Sequence, residues 1–250
     1  KKKTGLVVEG GGMKCAYNAG ILDAFLDEGI SFDYCIGVSG GSGNLASYLA
    51  GQRGRNLRFF TEHIHDKEYF GMKSLLKTGN LFGLPYIYGT LTNSGGRDPL
   101  DFPALMKNPA EYQVVVTNAE TGKPEYYGKE MMSQDDYRLI MASSAILAEG
   151  CDRLVVILSK NRDYVRKPQE MHFLYSRLCR KYPRIVETID RRHITYNENL
   201  KRIFELEKEG TAFVFAPSET IQVGTYSMDE KAEYALYDLG IRDFQSRREE

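Results

Sequence analysis

A chain of 250 residues with 42% hydrophobic and 27% charged side chains has ordinary globular composition. That excludes collagen-like, disordered and coiled-coil classes, and a core of this size needs no disulfide staples. Lys and Arg number 33 against 34 Asp and Glu, a formal charge of -1, so the basic excess of a dedicated nucleic-acid binder is missing and no nucleic-acid partner is expected.

Gly5 to Glu9 reads as a buried strand that stops at Gly10, Gly11 and Gly12. From Met13 to Glu28 apolar residues recur at helical spacing, and Gly29 closes that helix. Phe32 to Gly37 is the second predicted strand, and Gly40 to Ala50 the second helix. Residues 54–66 and 72–77 read as helical. Residues 78–100, rich in Gly, Pro, Tyr, Asn and Thr, read as a long irregular excursion and a candidate lid or substrate-facing surface. Tyr112 to Glu120, a turn over 121–124 and Glu125-Tyr126-Tyr127 make a hairpin, and 134–144 a helix. Arg153 to Ser159 is a strongly apolar strand, 168–209 a long helical region, 211–216 a last strand and 229–248 a closing helix. The alternation predicts an α/β fold, a three-layer sandwich with a mainly parallel central sheet. One domain over 1–250 is expected, with 160–250 a helical C-terminal extension packed on it.

Cys15, Cys35, Cys151 and Cys179 have no CxxC spacing, which favours reduced thiols over a metal site or disulfides. No apolar run approaches the ~20 residues of a membrane span. The lysine-rich start leads only into a short strand and does not resemble a signal peptide. The expectation is a soluble, cytoplasmic protein without metal or cofactor.

Two Gly-rich turns carry the chemistry. Gly37-Val38-Ser39-Gly40-Gly41 fits G-x-S-x-G where an apolar strand meets a helix, the setting of a nucleophile elbow. Ser39 must take a sharp turn that projects its hydroxyl, and the small Gly37 and Gly41 let strand and helix approach. The bland alternative is an ordinary strand-to-helix turn. Gly10-Gly11-Gly12-Met13-Lys14 lies at the equivalent junction of the first strand. Three uses compete for it: a dinucleotide pyrophosphate site, an oxyanion hole serving Ser39, and a tight turn. A G-x-G-x-x-G fingerprint would need glycine at position 15, which is Cys15, and Asp33 precedes its strand rather than ending it. Two such turns at one sheet edge favour the oxyanion hole.

The pair Val8-Glu9-Gly10-Gly11-Gly12-Met13-Lys14 and Ile36-Gly37-Val38-Ser39-Gly40-Gly41-Ser42 resembles the patatin-like phospholipases, in particular bacterial stand-alone members. The resemblance extends to residues 49–56 and to Met141-Ala142-Ser143-Ser144-Ala145. It implies a lipid acyl hydrolase, of phospholipase A, lysophospholipase or esterase type, with a Ser–Asp dyad and neither His nor metal. Ser39 would be the nucleophile and Gly10, Gly11 and Gly12 the oxyanion donors. Lys14 would take the family's basic, anion- or substrate-side position. Partners would be a lipid or acyl-ester substrate, with peripheral membrane contact as an option.

The sequence departs from that family at the second catalytic residue. The Asp of an Asp-Gly-Gly or Asp-Gly-Ala motif is expected between Ala145 and the strand opening at Arg153, yet the chain contains no Asp-Gly dipeptide. Ser143-Ser144-Ala145 reads as one helix end and Leu147-Ala148-Glu149-Gly150 as another, as though two ends were fused. Two explanations stand: a segment omitted between about Ala145 and Ala148, or a non-catalytic relative lacking it. Asp152 is a poor substitute, because it would open a strand far from the Ser39 turn.

His63, His65, His172 and His193 are weighed as triad members and read instead as surface side chains or, for His63 and His65, as residues pointing apart. Lys160 to His193 is locally basic with apolar residues interleaved. It reads either as a solvated helix pair with one apolar face or as a surface for anionic lipid. Non-catalytic lipid- or nucleotide-binding alternatives therefore remain open beside the hydrolase.

Overall fold

The computed structural model describes residues 2–71, 74, 82–131, 133 and 151–250. The first strand, β1 (Thr4–Val8), forms from the apolar run ahead of the triple glycine. A 3-10 turn over Gly12–Cys15 leads into α1 (Ala16–Asp27), so the α-helix proper starts later than the periodicity suggests. Gly29 adopts a φ of 65° just beyond the end of α1 and lets the chain reverse. Then come β2 (Tyr34–Gly37), α2 (Gly40–Leu49) and α3 (Arg55–Thr61).

The excursion expected to be irregular contains a π-helical segment at Pro85–Leu91. After it comes a short helix, α4 (Phe102–Lys107), capped by the Asp101 carboxylate accepting from the Ala104 amide at 2.9 Å. The hairpin forms as β3 (Glu111–Thr117) and β4 (Pro124–Gly128). The helix expected at 134–144 and the suspected break near Ala145–Ala148 lie outside the described residues, as does most of 72–77.

β5 (Arg153–Ile157) follows. The long helical region is two helices, α5 (His172–Leu178) and α6 (Pro183–Lys208). Its division has a local cause. Proline disfavours helical backbone in the residue before it, and Tyr182 sits at φ -131°, ψ 71°, so α6 starts afresh with Pro183 in its first turn. β6 (Ala212–Phe215) and α7 (Glu230–Ser246) complete the chain.

The six strands form one sheet in the order β4-β3-β2-β1-β5-β6. All pairings are parallel except β3 with β4. Strand residues alternate between two cores. Leu6, Val8, Cys35, Val114 and Ile157 face the side covered by α1, α2 and α7. Val7, Ile36, Val115, Val156 and Val214 face Tyr196, Leu200, Ile203 and Phe204 of α6, whose spacing places them on one helical stripe. Helices on both faces of a mainly parallel sheet are the predicted three-layer α/β arrangement. Val8 is level with both Gly37 and Ile157, so the tips of β2, β1 and β5 end side by side.

α1 and α7 cross closely. A Cβ on Gly20 would lie 2.1 Å from the Tyr237 carbonyl oxygen, and one on Gly240 would lie 2.4 Å from that of Tyr17. Two buried hydrogen bonds bracket the crossing: the Tyr17 hydroxyl donates to Asp243 at 2.9 Å, and the Tyr237 hydroxyl to Asp23 at 2.8 Å. Gly20→Ala must push the helices apart and is expected to cost about 3 kcal/mol of stability. Urea denaturation checks this; an unchanged midpoint would mean that the crossing yields freely.

Candidate active site

Ser39 joins β2 to α2 with φ 51° and ψ -127°. A side-chain-bearing residue held there stores roughly 1–3 kcal/mol, sustained only where neighbours over-determine the turn. They do so through close backbone contact. A Cβ on Gly37 would meet the Ser42 backbone at 2.7 Å, and one on Gly41 would meet the Val8 and Glu9 carbonyl oxygens at 2.5 and 2.7 Å. Both small positions predicted for the elbow are thus occupied by glycines with no room for a side chain. Ser39 itself is exposed.

The triple glycine lies beside it. A Cβ on Gly10 would be 2.6 Å from the Val38 carbonyl oxygen and 3.0 Å from the Ser39 Cβ. Gly12 takes a φ of 59°. Among the described residues, no backbone carbonyl accepts from the amides of Gly10, Gly11, Gly12 or Gly40, whereas the next amide, Met13, donates to the Thr225 carbonyl at 3.3 Å. The Gly11 amide is directed to the Cys15 sulfur, and the amides of Gly10, Gly12 and Gly40, which no backbone carbonyl among the described residues takes up, stand next to a projecting hydroxyl where N–H groups can stabilise a developing oxyanion. Lys14 follows, half-buried; burial and then the neighbouring Lys160 push its ammonium pKa down.

The loop is anchored by a group that sequence reasoning passed over. Glu9 is buried, and its carboxylate accepts from the Ser159 amide at 2.7 Å, from Lys160 at 2.5 Å and from the Tyr196 hydroxyl at 2.8 Å. Burial, reinforced by Glu9, drives the Tyr196 hydroxyl well above its ordinary pKa, so it stays a donor. On the other side, Asn18 of α1 donates to the Glu9 carbonyl at 2.8 Å and Asn44 of α2 donates to the Cys15 carbonyl at 2.8 Å. The only local clue to this anchor is one charge at the end of each of two apolar strands, Glu9 and Lys160.

A pocket of about 110 Å³ opens beside Ser39, between Gly12 and Met13 on one wall and Phe59, Phe60, Phe82, Leu84 and Ile87 on the other. Arg55, which also lines it, is held against Asp98 at 3.5 Å. Burial works against the Asp98 carboxylate, but hydrogen bonds from Arg58 and His63 outweigh it and keep the group ionised. Apolar walls next to a serine suit an acyl chain.

The remaining candidates fall elsewhere. Asp152 accepts from the Lys3 amide at 2.8 Å, at the start of β1, hence at the opposite sheet edge from Ser39. His63 is buried against Asp98 at 3.0 Å, and His65 points out to Glu230 at 2.9 Å, so the two do diverge. His172 is an exposed partner of Asp190 at 2.9 Å. His193 departs from the expected solvated state: its Nδ1 is buried and unpartnered among the described residues. Cys15 and Cys35 are free, buried thiols with pKa values pushed to about 12 by burial.

Comparison with known proteins gives two matches to family models along the chain: patatin-like phospholipase over residues 6–148, and a domain of unknown function, DUF6363, over residues 182–250. The chain is similar to the uncharacterized protein YjjU of Escherichia coli (strain K12), 31% identical over 83 residues, covering 33% of this chain and 23% of that protein. Its fold also aligns with VipD from Legionella pneumophila at 12% identity and a TM-score of 0.45, over 98% of this chain and 66% of that one. The chain therefore spans less than two thirds of either relative. The first family match contains both glycine turns, the elbow and the pocket walls, and it covers more than half of the residues. The chain belongs to the patatin-like phospholipase family.

Proposed function

We propose that this chain is a serine lipid acyl hydrolase of the phospholipase A, lysophospholipase or esterase kind, with Ser39 as nucleophile. The observation that carries the reading is the strained, exposed Ser39 turn packed against Gly10. The hydroxyl oxygen attacks the ester carbonyl, and the amides of Gly10 and Gly12 hold the negative charge that develops on the carbonyl oxygen. The alcohol leaves with a proton, and water then releases the fatty acid from the acyl-enzyme. The apolar pocket receives the acyl chain. An aspartate in the stretch between Ala145 and β5 is the family's base; in this sequence that stretch holds no Asp-Gly, and its residues up to 150 lie outside those described.

The same reading treats 1–250 as one patatin-like unit to which 160–250 adds α6, β6 and α7. Peripheral contact with lipid fits a chain in which no described helix is long and apolar enough to cross a membrane.

A fluorophosphonate probe tests the reading, because it reacts only with an activated serine. The expected result is one labelled peptide containing Ser39. Absence of labelling, together with binding to liposomes, would favour a non-catalytic lipid-binding relative instead.

A further inference from the structure

α5 carries its apolar side outwards. Met171 just before it, Leu174 and Leu178 recur three and four residues apart, so they form one stripe along the helix, with Phe173 on its flank. Such a stripe normally turns to a core. Here Phe173 is 78%, Leu178 74% and Met171 67% exposed, and no residue of α5 is buried. The side that meets α6 is the polar one: the Tyr175 hydroxyl donates to Asp190, and the His172 Nδ1 lies 2.9 Å from the same carboxylate. Single exposed apolar side chains are ordinary, but a set of them on one helix marks a surface that another body covers.

Charge narrows what that body is. From Val165 to Tyr182 the chain has five Lys or Arg against one carboxylate, Glu170. Among the described residues no carboxylate forms an ion pair with Lys167, Arg177, Arg180 or Lys181. A second copy across a two-fold axis would set these cations against their own counterparts. An anionic bilayer accepts both kinds of group, because apolar side chains enter the acyl boundary while guanidinium and ammonium groups stay at head-group level.

The place of α5 in the fold agrees with that partner. β6 runs parallel to β5 and begins just after α6, so α6 ends at the sheet edge remote from Ser39. Tyr196 reaches Glu9 just past the tip of β1. Residues 183–195 of α6 therefore stand beyond the strand tips on the Ser39 side, for roughly 20 Å at about 1.5 Å per residue. Thr188 of this stretch donates to the Gly122 carbonyl at 3.2 Å, in the β3–β4 turn that projects past the same edge. α5 is pinned to that projection through Asp190. It falls in neither family match, between residues 148 and 182.

We propose that α5, with Arg177, Arg180 and Lys181, docks the chain on an anionic lipid bilayer and turns the Ser39 edge of the sheet towards it. The benefit to catalysis rests on the hydrolase reading; the docking is tested by binding alone. With Ser39→Ala protein, so that no lipid is consumed, sedimentation compares phosphatidylcholine vesicles with vesicles that also contain phosphatidylglycerol. Binding to the mixed vesicles is expected to be at least about tenfold tighter, and Arg177→Gln with Arg180→Gln and Lys181→Gln should remove that margin. Phe173→Ser with Leu178→Ser should weaken binding to the mixed vesicles at least about tenfold. The chain contains no tryptophan, so Phe173→Trp adds a lone reporter to an exposed position without disturbing a core. Its emission should move to shorter wavelength with mixed vesicles and be quenched by brominated acyl chains. Equal binding to the two vesicles, binding untouched by the serine variants, or unshifted emission overturns the proposal. So does a wild-type dimer that the serine variants dissociate, since a second copy would then cover the face. Docking that persists in a wild-type protein unlabelled by fluorophosphonate would remove the hydrolase and support the docking surface by itself.

Discussion

Ser39→Ala is expected to lower kcat for a soluble ester such as p-nitrophenyl butyrate by at least about 10³-fold, leaving only what binding and the oxyanion donors supply unaided. The effect should fall on kcat and spare the fold. Alanine has the same Cβ as serine and meets the same strain at φ 51°, so the melting temperature should stay within a degree or two. Neighbouring hydroxyls cannot take over. The Ser42 Oγ is buried without a partner among the described residues, and the Ser159 hydroxyl lies 3.0 Å from the Glu9 carboxylate. Steady-state kinetics decides the matter: a variant hydrolysing the ester at the wild-type rate would place the chemistry elsewhere.

What the sequence revealed of this site follows from the range of the interactions involved. The elbow and the glycine turn are each local, a strand, a few glycines and a helix, so their signal lies within about ten residues. Their neighbourhood followed from the parallel sheet, because adjacent parallel strands carry their carboxyl ends to one edge. The anchor was hidden for the opposite reason. Glu9 meets Lys160 across 151 residues and Tyr196 across 187, and locally each reads as an ordinary strand-end charge or helix aromatic.

Breaks in periodicity were legible but under-weighted. Pro183 marks the division between α5 and α6, and Asp101 with Pro103 marks the start of α4. Gly20 and Gly240, lone glycines inside helices, mark a close crossing. The π-helical segment after Pro85 has no such marker, since its hydrogen-bond pattern is set by packing rather than by composition. The elements were thus largely readable from periodicity, and the charged contacts that tune the site were not.

Glu233 should make the stability of the protein strongly dependent on pH. This residue lies in the first turn of α7, is fully buried, and has both carboxyl oxygens without a hydrogen-bond partner among the described residues. Burial, with a smaller contribution from Asp229, raises its pKa from 4.5 to about 8. The sign follows from the two states. Below pH 4 both folded and unfolded chains hold the proton, and its ionisation costs the folded state nothing. Between about 4.5 and 8 the unfolded chain releases it and the folded chain keeps it, so stability falls by roughly 1.4 kcal/mol per pH unit. Above 8 the loss is complete, at up to about 5 kcal/mol. Glu233→Gln keeps the shape and removes the titration. Urea denaturation of the two proteins should therefore show a small difference at pH 5 and one of several kcal/mol in favour of the variant at pH 8.5. A difference that stays flat across that interval would mean that Glu233 ionises freely in the folded chain, and that a polar partner reaches its carboxylate.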